Sequence, residues 1–406
     1  MSIACPDCGT VQQIPVLPPR GLARCIRCES ALERTSGRSI DAALACSTAT
    51  ILLLIPANAL PFLQVSMAGA TRQSLLASGI LVLLRQGWVL LAALLGAFGI
   101  VLPIVRFGLL TLALAMVRCG RRPPWLGRLF RWAASLDLWA MPDVFLLGCA
   151  VGYSRVVAFL PVHIGAGGWC FIAAAFLSMI SHAALDRRTV WRAIAPEAAA
   201  PDGPALSCTA CDLVLPLSAE GGRCPRCRAR LSARKPDTLT RTAALVAAGY
   251  LLYVPANLFP MTDQLQLGHV QGHTIFSGIE RLAGAHLWPL ALLIFCTSIA
   301  IPLLKLVGLT WFLISVKRGS GRRLVVKTKL YRIIDAIGRW SNVDVFTIAV
   351  FAPLMQFGQL ASVRAAPGAM AFIAVVVLTM IASRAFDPRR MWDAAPGDTA
   401  TGKAQR

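Results

Sequence analysis

Ile55-Pro56-Ala57-Asn58-Ala59-Leu60-Pro61 returns 199 residues later as Val254-Pro255-Ala256-Asn257-Leu258-Phe259-Pro260. Ser78-Gly79-Ile80 and Pro103 recur at the same offset, as Ser277-Gly278-Ile279 and Pro302. Past a two-residue difference in loop length the offset becomes 201. There Asp143-Val144-Phe145 answers Asp344-Val345-Phe346, Asp186 answers Asp387, and Trp191 answers Trp392. Constant offsets across separated segments mean that the chain is two copies of one module. In each copy the Pro-x-Asn-x-x-Pro element interrupts the first helix of the module near its outer end. Proline removes a backbone donor and clashes one turn back, so a kink or an early end to the helix is expected. Asn58 and Asn257 are placed to bond the freed carbonyls.

The uncharged runs are long. No Asp, Glu, Lys or Arg lies between Asp41 and Arg72, Arg85 and Arg106, Arg155 and Asp186, Arg241 and Asp263, or Arg281 and Lys305. The same holds between Asp344 and Arg364, and between Arg364 and Arg384. A helix needs about 20 apolar residues to cross ~30 Å of hydrocarbon. These runs predict eight transmembrane helices, at about 42–62, 88–117, 139–160, 166–185, 242–261, 287–316, 341–361 and 367–385. Apolar residues make up 56% of the chain and charged residues 15%. That balance excludes a soluble globule of this length, a disordered chain and a disulfide-built secreted protein. The fold class is therefore an all-α polytopic membrane protein. An even number of crossings per module gives both halves the same orientation, as two tandem parallel four-helix repeats.

The positive charge fixes the expected orientation. Of the 40 Lys and Arg residues, 33 fall before Asp41, in 118–138, in 186–241, in 317–340, or from Arg384 onward. The alternate loops hold only Arg72, Arg85, Arg281 and Arg364. By the positive-inside rule both termini and the central linker face the cytoplasm. The net charge of +21 thus marks cytoplasmic loops, and no nucleic-acid partner is expected. The opening Met-Ser-Ile-Ala-Cys lacks the charged and apolar regions of a leader, so the first span is expected to direct its own insertion.

Eight of the thirteen cysteines form two sets: Cys5-x2-Cys8 with Cys25-x2-Cys28, and Cys208-x2-Cys211 with Cys224-x2-Cys227. Paired Cys-x2-Cys knuckles at this separation have the spacing of a four-thiolate zinc ribbon. Tetrahedral closure by four soft thiolates leaves no open position, so about two structural Zn2+ ions per chain are expected. Iron or a redox dithiol is the competing use of such ligands, and disulfides are disfavoured in the cytoplasm. Cys46, Cys119, Cys149, Cys170 and Cys296 show no partner spacing and read as small apolar residues. The second ribbon carries Arg223, Arg226, Arg228 and Arg230, a basic edge that fits solvent or lipid headgroups better than nucleic acid.

The domain limits follow: zinc ribbon 1 at 1–38, a four-helix module at 39–190, zinc ribbon 2 at 204–234, a second module at 239–392, and a disordered tail at 393–406. Two cations stand at matched places inside the spans, Arg106 in LPIVRFGLL and Lys305 in IPLLKLVGL. Each lies about 15–18 Å from its helix end by the 1.5 Å rise, too deep for easy snorkelling. An unpaired charge there costs at least ~2.5–3.5 kcal/mol. Asp143 and Asp344, also matched, are the expected partners. Arg106, Asp143, Lys305, Asp344, Asn58 and Asn257 together form the candidate intramembrane polar network, either a structural tie or part of a transport path. The outer loop 261–286 carries Asp263, His269, His273, Glu280 and His286, whereas 62–87 carries little chemistry. His269-x3-His273 could ligate a metal on a helix but has no third ligand at a defined spacing. Neither a Walker motif nor a dinucleotide glycine pattern occurs, and the chain is not expected to be an enzyme.

Two four-cysteine ribbons, each before a four-helix module with a Pro-x-Asn-x-x-Pro element, resemble the paraquat-inducible protein A family of Gram-negative inner-membrane proteins. The motifs that carry the resemblance are CPDC at 5–8, IPANALP, SGI and DVF, and it extends from Cys5 to Trp392. It implies a multi-pass inner-membrane protein that partners a periplasmic MCE-domain tunnel protein. It also implies passage of phospholipids between the membrane and that tunnel. Two alternatives rest on the residues alone: a secondary transporter of small ions or drugs using the buried cation–Asp pairs, and a zinc- or redox-sensing membrane scaffold.

The charge distribution makes a direct prediction. Cysteine reporters introduced beside Arg72 or His273 react with a membrane-impermeant maleimide in intact spheroplasts, and reporters beside Arg121 or Lys235 do not. Labelling of the second pair would overturn the orientation.

Overall fold

The computed structural model describes residues 2–395 except 16, 19–20, 35–39, 68–69, 158–160, 196–202, 267–268, 344–345 and 348–360. The first ribbon is two antiparallel hairpins, β1 (Ser2–Ala4) with β2 (Val11–Gln13) and β3 (Leu22–Arg24) with β4 (Ala31–Arg34). Each cysteine knuckle ends in a left-handed residue, Gly9 at φ 79° and Glu29 at φ 58°. The amides of those residues donate to the carbonyls of Cys5 and Cys25. This tight return turns both sulfurs of a knuckle to one side.

One order of elements then runs through the first half. The long helix α1 (Ile40–Ala59) leads to the hairpin β5 (Leu63–Met67) and β6 (Ala70–Ser74). Helices α2 (Ser78–Arg85), α3 (Val89–Gly96), α4 (Leu102–Arg118), α5 (Leu126–Ser135) and α6 (Pro142–Val157) follow. The half closes with β7 (Val162–Ile164), α7 (Ala166–Ala184) and α8 (Arg187–Ile194). The second ribbon contributes β8 (Ala205–Ser207) and β9 (Val214–Pro216). The second half repeats the order: α9 (Thr238–Leu258), β10 (Thr262–Gln266), β11 (His269–His273), α10 (Ile275–Gly284), α11 (Trp288–Ile294), α12 (Ile301–Lys317), α13 (Leu324–Ile337), β12 (Ala361–Ala365), α14 (Pro367–Ala385) and α15 (Arg389–Asp393).

Among the described residues seven helical stretches are long and apolar enough to cross a membrane. They are Ile40–Ala59, Val89–Arg118, Leu126–Ser154, Ala166–Ala184, Thr238–Leu258, Trp288–Lys317 and Pro367–Ala385. The expected eighth, 341–361, lies for the most part outside the described residues, as does most of the 393–406 tail. Both 30-residue stretches contain a π-helical turn, Ala97–Val101 and Phe295–Ala300. Pro103 and Pro302 stand just beyond these turns. Each ring would meet the carbonyl four residues back, at Gly99 or Ser298, and the wider π turn accommodates it.

Three segments expected as loops are ordered. Residues 126–135 form α5, which buries Leu126, Phe130 and Ala133 against the first half. Residues 62–87 and 261–286 supply hairpins that are completed from a distance. β5 pairs with β6 and β7, and β10 with β11 and β12, giving two three-stranded antiparallel sheets on the face opposite the ribbons. Strand β12 is further tied to the first half through Gln86, which accepts from the Ala365 amide at 3.1 Å and donates to the Val363 carbonyl at 3.4 Å.

The halves meet through equivalent residues. Phe145 packs on Phe346 with ring centroids 4.9 Å apart, and the Asn342 amide donates to the Met141 sulfur at 3.6 Å. Both pairs differ by the 201-residue offset. The ribbons add a second connection, because each docks its apolar side on the module it does not precede while an ion pair, Glu33–Arg192 or Arg234–Asp393, both 2.7 Å, ties it to the module it does precede. Ribbon 1 shares a buried cluster with Phe312, Tyr331, Phe386 and Trp392 of the second half. Glu29 and Asp7 reach Lys329 and Arg332 of α13, at 2.6 and 3.5 Å. Ribbon 2 packs on the first half, with Leu213 and Leu231 joining a cluster that holds Phe130 and Trp191.

The closest approach in this second dock is at Gly127, where a β-carbon would lie 1.9 Å from the Arg226 carbonyl oxygen. Gly127→Val is therefore expected to lift ribbon 2 from α5 at a cost of roughly 1–3 kcal/mol. Trypsin should then cut at the ribbon arginines faster than in wild type, with the metal content unchanged. An unaltered digestion rate would refute this docking.

Candidate functional site

Each cysteine set converges on a point. The four sulfurs of Cys5, Cys8, Cys25 and Cys28 lie within 4.8 Å of one another, as do those of Cys208, Cys211, Cys224 and Cys227. All eight are buried, and none of the thirteen cysteines is in a disulfide. Cys5 to Cys28 is 3.4 Å and Cys8 to Cys25 is 3.6 Å; Cys208 to Cys227 is 3.5 Å and Cys211 to Cys224 is 3.6 Å. A tetrahedron with metal–sulfur bonds of ~2.3 Å has edges of about 3.8 Å, so both groups fit a metal ion with little adjustment. Without a cation the sulfurs compete for protons. Hydrogen bonds from Cys28 and Cys5 hold Cys8 far below the ordinary thiol range. Cys28, bonded to Cys5 and Cys8 and buried, is pushed far above it. A bound cation removes that conflict by taking all four as thiolates.

The second candidate set is inside the helices. Arg106, on α4, is 2% exposed. Its Nη2 lies 2.5 Å from Asp137 Oδ1, not against the expected Asp143. The reason is α5. Packing of this helix on α4 brings the following 3-10 turn, Leu136–Leu138, to the level of the guanidinium. Asp143 is instead in the first turn of α6. Asp137 also takes Arg187 Nη2 at 2.5 Å and faces His182 Nδ1 at 3.3 Å. One carboxylate thus gathers side chains from α4, α7 and α8.

Lys305, on α12, is 1% exposed. Its ammonium donates to the Gly338 carbonyl at 3.0 Å and lies 3.5 Å from Thr379 Oγ1. Ser341 Oγ donates to the same carbonyl at 2.9 Å. The expected partner, Asp344, lies outside the described residues. Gly338 stands 201 residues after Asp137, so it is the counterpart of the first half's carboxylate. A β-carbon there would sit 2.2 Å from Lys305 Cε and 2.5 Å from Nζ. Glycine leaves the room that the ammonium occupies. Among the described residues, one half meets its buried cation with a carboxylate and the other with a backbone carbonyl and a hydroxyl from the same helix–turn geometry.

Asn58 and Asn257 behave alike. Each amide donates one turn back, to Leu54 O at 2.7 Å and to Tyr253 O at 2.8 Å. These are not the Leu52 and Leu251 carbonyls that lose a partner to the proline rings, so the expected repair is replaced by a brace two residues nearer the helix end. His269 and His273 are on strand β11, not on a helix. His273 Nε2 is 2.9 Å from Arg281 Nη1, and burial together with that guanidinium lowers its pKa. A neighbouring cation speaks against metal ligation there. Asp137, Gly338 and Thr379 were not among the expected site residues. Asp137 could have been found, since Asp137 and Asp143 are the only carboxylates between Asp41 and Asp186.

A double-mutant cycle separates the two candidate partners of Arg106. Arg106→Met with Asp137→Leu should show a coupling of about 0.5–3 kcal/mol in unfolding free energy. Asp143→Leu with Arg106→Met should add within about 0.5 kcal/mol. Coupling to Asp143 alone would contradict the geometry.

Comparisons with known proteins match the chain along most of its length. The family model described as "Paraquat-inducible protein A" matches residues 40–195 and 239–396. The chain is 31% identical over 407 residues to "Intermembrane transport protein PqiA" of Escherichia coli (strain K12), covering 97% of this chain and 96% of the relative. It is 28% identical over 397 residues to "Lipophilic envelope-spanning tunnel protein A" of the same organism, covering 96% and 91%. A "Probable intermembrane transport protein" of Haemophilus influenzae is 25% identical over 400 residues, covering 96% and 95%. No solved structure matches the chain. With its family model matched in both halves, the chain belongs to the paraquat-inducible protein A family.

Proposed function

We propose that this chain is a non-enzymatic, multi-pass inner-membrane subunit of an intermembrane lipid-transport system. It passes phospholipid between the membrane and a periplasmic MCE-domain tunnel protein. The observation that carries the reading is the match over 97% of the chain to a relative named as an intermembrane transport protein. The architecture suits the task. The two modules are parallel four-helix repeats, eight crossings in all, supported by the recurring element order and by contacts between equivalent residues such as Phe145 and Phe346. The ribbons and both termini face the cytoplasm, supported by the distribution of Lys and Arg. The two sheets on the opposite face then meet the periplasmic partner.

Cys5, Cys8, Cys25 and Cys28 hold one zinc ion, and Cys208, Cys211, Cys224 and Cys227 hold another. Four thiolates close the coordination sphere, so the metal supplies folding energy to ribbons too small for a sufficient apolar core. Inside the membrane there are two polar sites, Arg106 with Asp137 in the first half and Lys305 with Gly338 and Thr379 in the second, with Asp143, Asp344, Asn58 and Asn257 as the remaining polar groups of the spans. The first half's ion pair fixes its module. Lys305, hydrogen-bonded to neutral oxygens among the described residues, is the member placed to serve the transport path. The same lysine favours the runner-up reading, a secondary transporter of small ions.

Elemental analysis of purified protein should find about two zinc ions per chain, and iron in their place would reject the assignment. Phospholipid should copurify and move between vesicles carrying the protein and its partner. Lys305→Met should fold and insert yet transfer lipid at least tenfold more slowly. Ion flux without lipid transfer would favour the runner-up.

A further inference from the structure

Helix α5 has two faces. Leu126, Phe130 and Ala133 are buried, while Trp125, Trp132 and Arg128 point outward. Trp125 and Arg128, exposed at the start of a helix that opens a membrane span, place its first turn at the headgroup level. Ribbon 2 is seated on the first turn of this helix, since a β-carbon on Gly127 would lie 1.9 Å from Arg226 O. Arg228 is two residues beyond that contact, so its backbone lies within about 7 Å of it by chain reach alone.

Arg223, Arg228 and Arg230, with Gly221, line an open cleft of about 400 Å³. Arg223 and Arg230 stand directly opposite each other across an antiparallel bridge, a placement that like charges disfavour. Arg228 completes the cleft from a left-handed turn at φ 57°. Among the described residues, no carboxylate pairs with any of the three. The ion pairs of this ribbon, Arg188–Asp212 and Arg234–Asp393, are made elsewhere. Glu220, the nearest acid in sequence, accepts from the Ala233 amide at 2.9 Å. Three guanidinium groups around one cleft, unbalanced and beside a headgroup-level helix, are matched by a phosphate, whose oxygens accept forked pairs of N–H donors.

We propose that Arg223, Arg228 and Arg230 form a binding site for the phosphate of an anionic phospholipid headgroup in the leaflet beside α5. The site does not depend on the transport reading, because it requires only a membrane at the level of α5.

The test uses the full-length protein in nanodiscs of phosphatidylcholine with and without phosphatidylglycerol, reading retained lipid by native mass spectrometry. Wild type should retain phosphatidylglycerol in preference to phosphatidylcholine. Near an anionic surface each arginine contributes roughly a fivefold factor. The triple variant Arg223→Gln, Arg228→Gln, Arg230→Gln should therefore lose about a hundredfold of that preference while keeping its metal. An unchanged preference in the metal-loaded triple variant overturns the site. If the triple change costs metal, Arg228→Gln alone decides: about a fivefold loss supports the site, and no loss overturns it. Saturable binding of inorganic phosphate in detergent, with no headgroup preference in nanodiscs, would assign the cleft to a free anion and overturn the lipid. Tighter capture of single-stranded RNA than of phosphatidylglycerol would overturn it likewise.

Discussion

A cation buried at the same depth in both halves sets the terms on which this protein folds. Arg106 and Lys305 are 2% and 1% exposed, and neither can stay charged in an apolar bundle without oxygen acceptors at hand. The solution in each half is a helix that turns back. After the long second crossing the chain makes α5 or α13, packs it on the helix it has just left, and ends it in a tight turn beside the cation. Asp137 arrives in this way in one half and the Gly338 carbonyl in the other. The return helix is therefore what makes the charge tolerable, and the bundle forms around it.

The ribbons act on the same helices from outside. Asp7, Glu29 and the buried cluster of ribbon 1 hold α13 and α15, while ribbon 2 sits on α5 and α8. Each ribbon thus grips the element that carries the cation's acceptor in the module it does not precede. Hairpins of three or four residues per strand bury too little to be stable alone. Four buried cysteine sulfurs in each ribbon stand where they could hold a metal ion, and the docking of the ribbons ties the two halves of the chain together.

Duplication has not kept the halves alike. The first balances its cation with a carboxylate that also gathers Arg187 and His182. Among the described residues, the second uses a glycine carbonyl and the Thr379 hydroxyl. A charge–charge network in low dielectric resists rearrangement more than an ammonium held by neutral oxygens does. The outer sheets diverge in the same sense, with polar and charged residues concentrated on β10, β11 and α10.

Seven apolar helical stretches and the two four-cysteine groups could be read without coordinates because each is written in local spacing. Hydrocarbon thickness sets the length of an uncharged run, a knuckle sets Cys-x2-Cys, and duplication sets the offsets of 199 and 201. The partner of Arg106 could not be read in that way. Asp137 and Asp143 are six residues apart, and only the packing of α5 on α4 decides which one faces the guanidinium. Gly338 was invisible for a related reason: its acceptor is a backbone carbonyl that every residue possesses, and its distinction is the missing β-carbon that makes room for Lys305. The outer sheets escaped because β7 and β12 join hairpins from far along the chain, a pairing that neither strand's own pattern encodes. The crossed seating of the ribbons depends on surfaces meeting in three dimensions, and no local spacing records it.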